Sequence, residues 1–274
     1  MEAGSVLVTG AGGFIGRPVV VELLDRGWEV HASSLRPPTE GNDRVTWHAA
    51  DLLSPETPRR LVREIGPTHL LHLGWCAQPG SFWTDPANLT WVHATLRLAE
   101  EFADAGGKRF VGVGSCAEYD WSTGLCSEDS TALLPATLYG SAKLATGSVL
   151  TAWGRQVGLS VAWARLFHLY GPGEPAGKLV SSIVAALRAR HPVELSEGLQ
   201  ERDFLHVSDV ASGLVQLLGA DAVGPINVAS GRATKVREVA EELGRVTGQS
   251  ELLRFGTRPT EDSEPPLIVA DVRR

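Results

Sequence analysis

Tyr139 and Lys143 stand four residues apart in Tyr139-Gly-Ser-Ala-Lys143. On a helix that spacing puts both side chains on one face, so one ammonium can sit beside one phenol. A free tyrosine titrates near ~10; a neighbouring cation favours the phenolate and brings the group into range for acid–base work near neutrality. A second element, Gly10-Ala-Gly-Gly13-Phe-Ile-Gly16, places glycine at every third position behind the apolar run Ser5-Val-Leu-Val-Thr9. A buried parallel strand, a glycine turn and a helix over Val19–Leu24 that Gly27 stops let the backbone approach a pyrophosphate at the positive helix end. The spacing is Gly-x-x-Gly-x-x-Gly, not Gly-x-Gly-x-x-Gly, and such a turn alone is a weak signal. A proton donor together with a dinucleotide site points to hydride transfer.

These groups need a scaffold, and the pattern supplies one. Strands are expected near 5–10, 28–33, 44–49, 69–74, 108–114 and 160–166, with helices near 14–26, 56–65, 86–105 and 138–157. The alternation predicts an α/β fold with a parallel, doubly wound Rossmann-type sheet, whose ligands lie outside the carboxyl ends of the strands. Gly10, Ser33, Asp51, Gly74, Ser115 and Phe167 all fall at such ends. Beyond Gly171 the prolines multiply and the composition turns irregular. The expected division is a dinucleotide-binding domain over 1–170, with returns from the C-terminal half, and a smaller substrate-binding lobe over 171–274 interleaved with it.

The end of the second strand reports on the dinucleotide. An acid there would hydrogen-bond the adenosine ribose and repel a 2′-phosphate. Val30-His-Ala-Ser33-Ser34-Leu-Arg36 has none. It offers two hydroxyls and a guanidinium, and Arg17 can point to the same pocket, where a guanidinium forks onto phosphate oxygens. Each arginine reads equally as a solvated surface charge, so the missing acid is the stronger half of the argument. NADP(H) is the preferred cofactor, with NAD(H) the alternative.

With Thr9-Gly-Ala-Gly-Gly-Phe-Ile-Gly16 and Tyr139-x-x-x-Lys143 both present, the chain resembles the extended short-chain dehydrogenases/reductases, whose members are nucleotide-sugar epimerases, dehydratases and reductases. Asp51-Leu52, His72-Leu-Gly-Trp75, Phe110-Val-Gly-Val-Gly-Ser115, Arg165-Leu-Phe-His-Leu-Tyr-Gly-Pro172, Arg202-Asp-Phe-Leu-His-Val207 and Ile226-Asn-Val-Ala-Ser-Gly231 match further segments in order, from about Val6 to Asp271. The resemblance implies a catalytic Ser115 beside Tyr139 and Lys143. It implies dinucleotide contacts from Gly10, Gly13, Phe14, Ile15, Gly16, Asp51, Leu52, Leu73, Gly74, Trp75, Tyr139, Lys143, Phe167 and His168, with Lys143 on the nicotinamide ribose. Cys76, His168, Lys178, Leu179, Arg202 and Arg258 would meet the substrate, the cations gripping its diphosphate. The helices at 86–105 and 138–157 resemble those of a four-helix homodimer interface. The chain stops at Arg274, before a C-terminal helix that the resemblance implies.

Departures narrow the reaction. Dehydratases of this family carry an acidic pair directly after the catalytic Thr or Ser; here Cys116-Ala117 follows, and Glu118, one position late, is expected at the surface or one layer out. His168 and His93 stand where the family keeps Asn. The expected activity is NADPH-dependent reduction of a nucleoside-diphosphate-4-keto-6-deoxysugar at C4. The alternative is an NAD-dependent nucleotide-sugar 4-epimerase; a dinucleotide sensor without turnover is the third reading. A net charge of −7 gives no nucleic-acid signature. No apolar run reaches a membrane span, and the chain enters its first strand without a signal peptide. Cys76, Cys116 and Cys126 lack metal spacing and suit reduced thiols in cytoplasm. His69 and His72, three apart on a strand, face opposite ways and make no metal pair. Trp75, Trp83 and Trp91 fall near the expected site, where one can line a sugar pocket; Trp28, Trp47, Trp153 and Trp163 read as core.

Overall fold

Val6, Leu7 and Val8 are fully buried, because the strand they form lies at the centre of a sheet covered on both faces. The computed structural model describes residues 4–38, 42–259 and 264–274. The chain runs β1 (Ser5–Thr9), α1 (Gly16–Asp25), β2 (Glu29–Ser34), β3 (Val45–Ala49), α2 (Thr57–Ile65), β4 (His69–His72), α3 (Ala87–Asp104), β5 (Arg109–Ser115) and β6 (Leu125–Cys126). It continues through α4 (Leu138–Val157), β7 (Ser160–Leu166), β8 (His168–Tyr170), α5 (Leu179–Arg188), β9 (Val193–Glu194), β10 (Glu201–His206), α6 (Val207–Gly219) and β11 (Gly224–Val228). Last come β12 (Ala233–Lys235), α7 (Val236–Thr247), β13 (Leu253–Arg254) and β14 (Leu267–Ala270).

Seven strands pair in the order β11-β7-β5-β4-β1-β2-β3, all parallel. This is the doubly wound Rossmann-type sheet. Val19, Leu23 and Leu24 of α1 and Val210, Leu214 and Val215 of α6 cover one face. Leu61 and Val62 of α2, Leu98 and Phe102 of α3 and Leu150 of α4 cover the other. Each fully buried Leu contributes about 1.5–3 kcal/mol relative to exposure, so both faces are strongly held. The strand order reverses at β1, which puts the topological switch point at the carboxyl ends of β1 and β4.

A second sheet, β12-β10-β14-β6 with β8 on β10, joins the carboxyl end of the first. One residue, Phe167, separates β7 from β8, so the chain passes directly from the large sheet into the small one. The region beyond Gly171 is more regular than its prolines suggest. Among the described residues it holds three α-helices, and α6 buries Val207, Val210, Ala211, Leu214 and Leu218 at helical spacing. That helix and β11 return to the large sheet. Asp51 and Leu52 lie beyond β3, which ends at Ala49, instead of closing it.

Candidate active site

The glycine turn is a cradle that side chains would fill. Gly10 takes φ +69°, and a Cβ there would stand 2.8 Å from Leu73 C and Gly74 N. The loops after β1 and β4 therefore touch. A Cβ at Gly16 would collide with the Gly10 carbonyl oxygen. No side chain caps the N-terminus of α1 and no acid stands in its first turn; Arg17 N–H is taken by the Gly13 carbonyl at 3.1 Å and Pro18 has none, which leaves the Gly16 N–H at the positive helix end to meet an anion. Phe14 and Ile15 are partly exposed on the way into that helix, and Gly13 is exposed.

At the end of β2, Ser33 is buried and the Ser34 hydroxyl is buried without a hydrogen-bond partner. It faces the turn: a Cβ on Gly12 would lie 3.2 Å from Ser34 Oγ. Arg17 Nε donates to the Gly12 carbonyl at 3.0 Å, which lays its exposed guanidinium against the same turn. Arg36 is exposed. Leu52 is buried beneath Gly74, while Asp51 is exposed and accepts the Leu53 N–H at 3.0 Å.

His72 ends β4 fully inside the protein. Its ring nitrogens pair with Thr9 Oγ1 at 2.7 Å and Thr95 Oγ1 at 2.9 Å. Burial, with Lys143 adding to it, pushes its pKa down to about 3, so it is a neutral brace between β1 and α3. His69 instead pairs with the Thr68 hydroxyl and meets Trp28 edge-on. Beyond β4, Trp75 Nε1 donates to Asn88 Oδ1 at 2.9 Å, and Asn88 Nδ2 donates to the Phe82 and Asp85 carbonyls at 2.8 Å each. One buried amide thus pins the loop from Cys76 to Asn88.

Ser115, Tyr139 and Lys143 converge. Thr137 caps α4 by accepting the Gly140 N–H at 3.1 Å, and Tyr139 N–H donates to the Trp83 carbonyl at 3.1 Å. The Ser115 side chain acts on the Tyr139 phenol and opposes its upward shift. Lys143 departs from expectation. Its Nζ donates to the Val113 carbonyl at 2.8 Å and lies over the Trp75 ring, 3.9 Å from its centroid, but 5.9 Å from that of Tyr139. Helical spacing selects a face, and the long side chain then turns toward a strand carbonyl and an indole. The Tyr139 phenol is accordingly not acidified by Lys143: burial holds it above its ordinary value, with the Ser115 side chain opposing. Lys143 itself is brought down to about 7 by burial, with Glu118 opposing.

Cationic residues line the far side. Arg202 is buried, donating to Glu264 Oε1 at 2.8 Å and to the Glu201 carbonyl at 2.9 Å. Lys178 Nζ lies 4.9 Å from the Phe82 ring centroid. Burial, then Arg202, then Lys178 drive His168 down to about 3, and its Nδ1 is buried without a partner. Burial pushes the neighbouring Cys116 thiol up to about 12, so it is no nucleophile. Cys76 is exposed on the loop, Phe167 packs on Tyr119 and Leu179 packs with Ile183 and Leu187. Arg258 and His93 are exposed.

Glu118 takes the second of its two expected places, one layer behind the site, and two aromatic residues were not foreseen in the sequence. Glu118 is not at the surface: it is 0% exposed, accepting from Ser115 N–H and Trp163 Nε1 at 2.9 Å each and from Arg165 Nε at 2.7 Å. Phe82 packs edge-on against Tyr139 at 4.9 Å. Trp121 meets Trp83, which in turn meets Tyr139, making an aromatic wall with Trp75 and Trp91 behind it. Trp83 is 38% exposed, enough to present a face to a ligand.

Residues 6–229 match the model of the NAD dependent epimerase/dehydratase family, and the chain belongs to that family, an enzyme of the extended short-chain dehydrogenase/reductase class. It is 29% identical over 258 residues to GDP-6-deoxy-D-mannose reductase of Pseudomonas aeruginosa, covering 88% of this chain and 79% of that one. It is 26% identical over 270 residues to UDP-glucuronic acid decarboxylase 1 of Arabidopsis thaliana, covering 94% of this chain but spanning 61% of that protein's length. Among solved structures it is similar to MoeE5 in complex with UDP-glucose and NAD, with 32% identity, a TM-score of 0.82, and 99% and 90% of the two chains covered. The UDP-glucose 4-epimerase of Thermus thermophilus, solved with NAD, matches at 26% identity and a TM-score of 0.85, covering 97% and 90%.

Proposed function

We propose that the protein is an NADP(H)-dependent oxidoreductase of nucleoside-diphosphate sugars that reduces the C4 ketone of a 4-keto-6-deoxysugar nucleotide. The observation that carries this reading is the end of β2. Among the described residues from Ser33 to Arg36 there is no carboxylate, and the unpartnered Ser34 hydroxyl faces the glycine turn on which Arg17 rests. Ser33, Ser34, Arg17 and Arg36 would hold a 2′-phosphate through charge-assisted bonds. Gly10, Gly13, Phe14, Ile15, Gly16 and the uncapped start of α1 would hold the pyrophosphate, and Asp51 and Leu52 the adenine. Leu73, Gly74, Trp75, Phe167 and His168 would surround the nicotinamide end. When bound, the nicotinamide supplies the hydride.

The chain supplies the proton. Burial holds Tyr139 protonated at neutral pH, as a donor to a forming alkoxide must be. Ser115 would hydrogen-bond the same oxygen, and Lys143 would hold the nicotinamide ribose. His168, Lys178, Arg202 and Arg258 would meet the diphosphate, Cys76 and Leu179 the rim, and Trp83 and Trp121 the sugar. Cys116-Ala117 leaves no acid–base pair for expelling water. The relative from Pseudomonas aeruginosa is itself named a reductase. The protein is read as cytoplasmic; among the described residues no helix is long and apolar enough to cross a membrane. A homodimer would form through α3 and α4, where Leu89 and Val149 stand exposed.

The second reading, an NAD-dependent 4-epimerase using the same Ser115, Tyr139 and Lys143, is favoured by the NAD in the MoeE5 and Thermus thermophilus structures. A dinucleotide sensor without turnover would have no use for the Tyr139–Lys143 pair. Given NADPH and a nucleoside-diphosphate-4-keto-6-deoxyhexose, the protein is expected to consume both in equal amounts. C4 inversion of a nucleotide hexose with no net change in dinucleotide would instead assign the epimerase.

A further inference from the structure

Glu118 takes no part in the proton and hydride chemistry proposed above, yet it is the most deeply buried carboxylate beside it. A carboxylate leaves water only where partners replace the water, and each of its partners belongs to the frame of the site. Oε1 is shared by the Ser115 backbone N–H and the Trp163 indole N–H, and Oε2 takes Arg165 Nε. Trp163, in turn, has its ring centroid 5.9 Å from Lys143 Nζ. Ser115 Oγ completes a reciprocal cap by accepting the Ala117 N–H at 3.2 Å. The carboxylate therefore fixes the backbone from which the Ser115 hydroxyl projects.

The space around the pair is cleared by glycine. A side chain on Gly114 would collide with both Glu118 Oε1 and Trp163 Nε1, and one on Gly112 with the far edge of the indole. On Gly147, one turn past Lys143 on α4, a Cβ would stand 2.6 Å from the indole. Indole and carboxylate together thus fill the gap between β5, which carries Ser115, and α4, which carries Tyr139 and Lys143.

The charges around Lys143 point the same way. His72 faces it from β4 and is neutral; Tyr139, on α4 itself, is held protonated. Val113 O and Trp75 are uncharged partners, and the Cys116 thiol on the turn after β5 is protonated. Arg165, on β7, lies behind Glu118 and across the Tyr119 ring at 4.5 Å. Glu118 is the anion that acts on Lys143.

We infer that Glu118 is a positioning residue: its carboxylate, wedged with Trp163 between β5 and α4, fixes the Ser115 backbone and opposes the loss of the ammonium charge from the buried Lys143 side chain. The inference rests on the reading of Ser115 and Lys143 as catalytic, but its test needs neither substrate nor dinucleotide. The chain has four lysines, Lys108, Lys143, Lys178 and Lys235, so ¹³Cε-lysine labelling of the whole protein gives a countable spectrum, with Lys143 assigned by its loss in Lys143→Arg. The Lys143 signal is expected to titrate near pH 7 in the parent. In Glu118→Gln its midpoint is expected to fall by about one pH unit, as removal of a nearby opposite charge requires, while Lys108 and Lys235 stay in place. An unmoved Lys143 midpoint in a folded Glu118→Gln would overturn the inference and leave the carboxylate a structural partner of Arg165, Trp163 and the Ser115 backbone, without effect on Lys143. Removing one member of a buried pair can unfold a protein. The double variant Glu118→Gln/Arg165→Met, which removes both charges, is therefore titrated beside it, with a smaller fall expected because loss of the Arg165 cation acts the other way, and a midpoint that does not fall again decisive.

Discussion

Replacing Tyr139 by Phe is expected to lower turnover by about 10²–10⁴-fold, the usual worth of a positioned proton donor, while dinucleotide affinity stays in place. The substitution is clean because what holds the ring does not involve the hydroxyl. Phe82 and Trp83 pack edge-on against it at 4.9 and 5.7 Å, and the backbone N–H donates to the Trp83 carbonyl. A phenylalanine keeps all of these, and the cap at Thr137 that starts α4 is untouched. Only the phenol hydroxyl, and with it the proton, is lost. Steady-state rates and dinucleotide titration on the same sample separate the two effects. Parent-like turnover in Tyr139→Phe would mean that another group supplies the proton.

Gly114→Ala is expected to destabilise the fold by about 3 kcal/mol or more. The backbone at Gly114 is ordinary strand, paired with Arg165 of β7 and two residues past the last β4 partner at Gly112, so the cost is steric and not conformational. The new methyl would occupy the place of Glu118 Oε1 and Trp163 Nε1. The indole has no retreat, because Gly112 and Gly147 already pass it at distances that exclude a Cβ. Overpacking of this kind costs about 1–3 kcal/mol, and displacing Glu118 from Arg165 adds the larger penalty of unpaired buried charge, about 3–5 kcal/mol for a fully broken pair. Against a typical total of 5–15 kcal/mol, the urea midpoint should drop sharply with the slope unchanged. A parent-like midpoint would show that β5 or α4 yields and that the wedge is not rigid.

Much of the scaffold was legible because its causes are local. Apolar runs such as Val6-Leu7-Val8 can only be buried strands, and the expected helix at 138–157 coincides with α4, bounded by the Thr137 cap and Gly158 in the left-handed region. What stayed illegible depends on distant partners. Nothing around Glu118 marks it as buried; Trp163 and Arg165, more than forty residues later, decide that by arriving on the neighbouring strand, where Gly114 pairs with Arg165. Helical spacing placed Lys143 on the face of Tyr139 but could not show that its terminal atom turns to Val113 and Trp75. The helices beyond Gly171 were hidden by prolines in the connections around them, although α6 carries a plain amphipathic pattern. Phe82 and Trp121 reach the site through a loop and a short turn that carry no periodic signal.

The central claim is that the end of β2 selects a 2′-phosphorylated dinucleotide for net reduction. Its most direct test is the affinity of exhaustively dialysed protein for NADPH against NADH, with any cofactor released on denaturation identified by mass. The account predicts exchangeable binding with NADPH preferred by at least about tenfold, the worth of about 1.4 kcal/mol from Ser34, Arg17 and Arg36 around one phosphate. NAD that survives dialysis, with no preference for NADPH, would contradict it and assign the site to an epimerase that keeps its dinucleotide through the reaction.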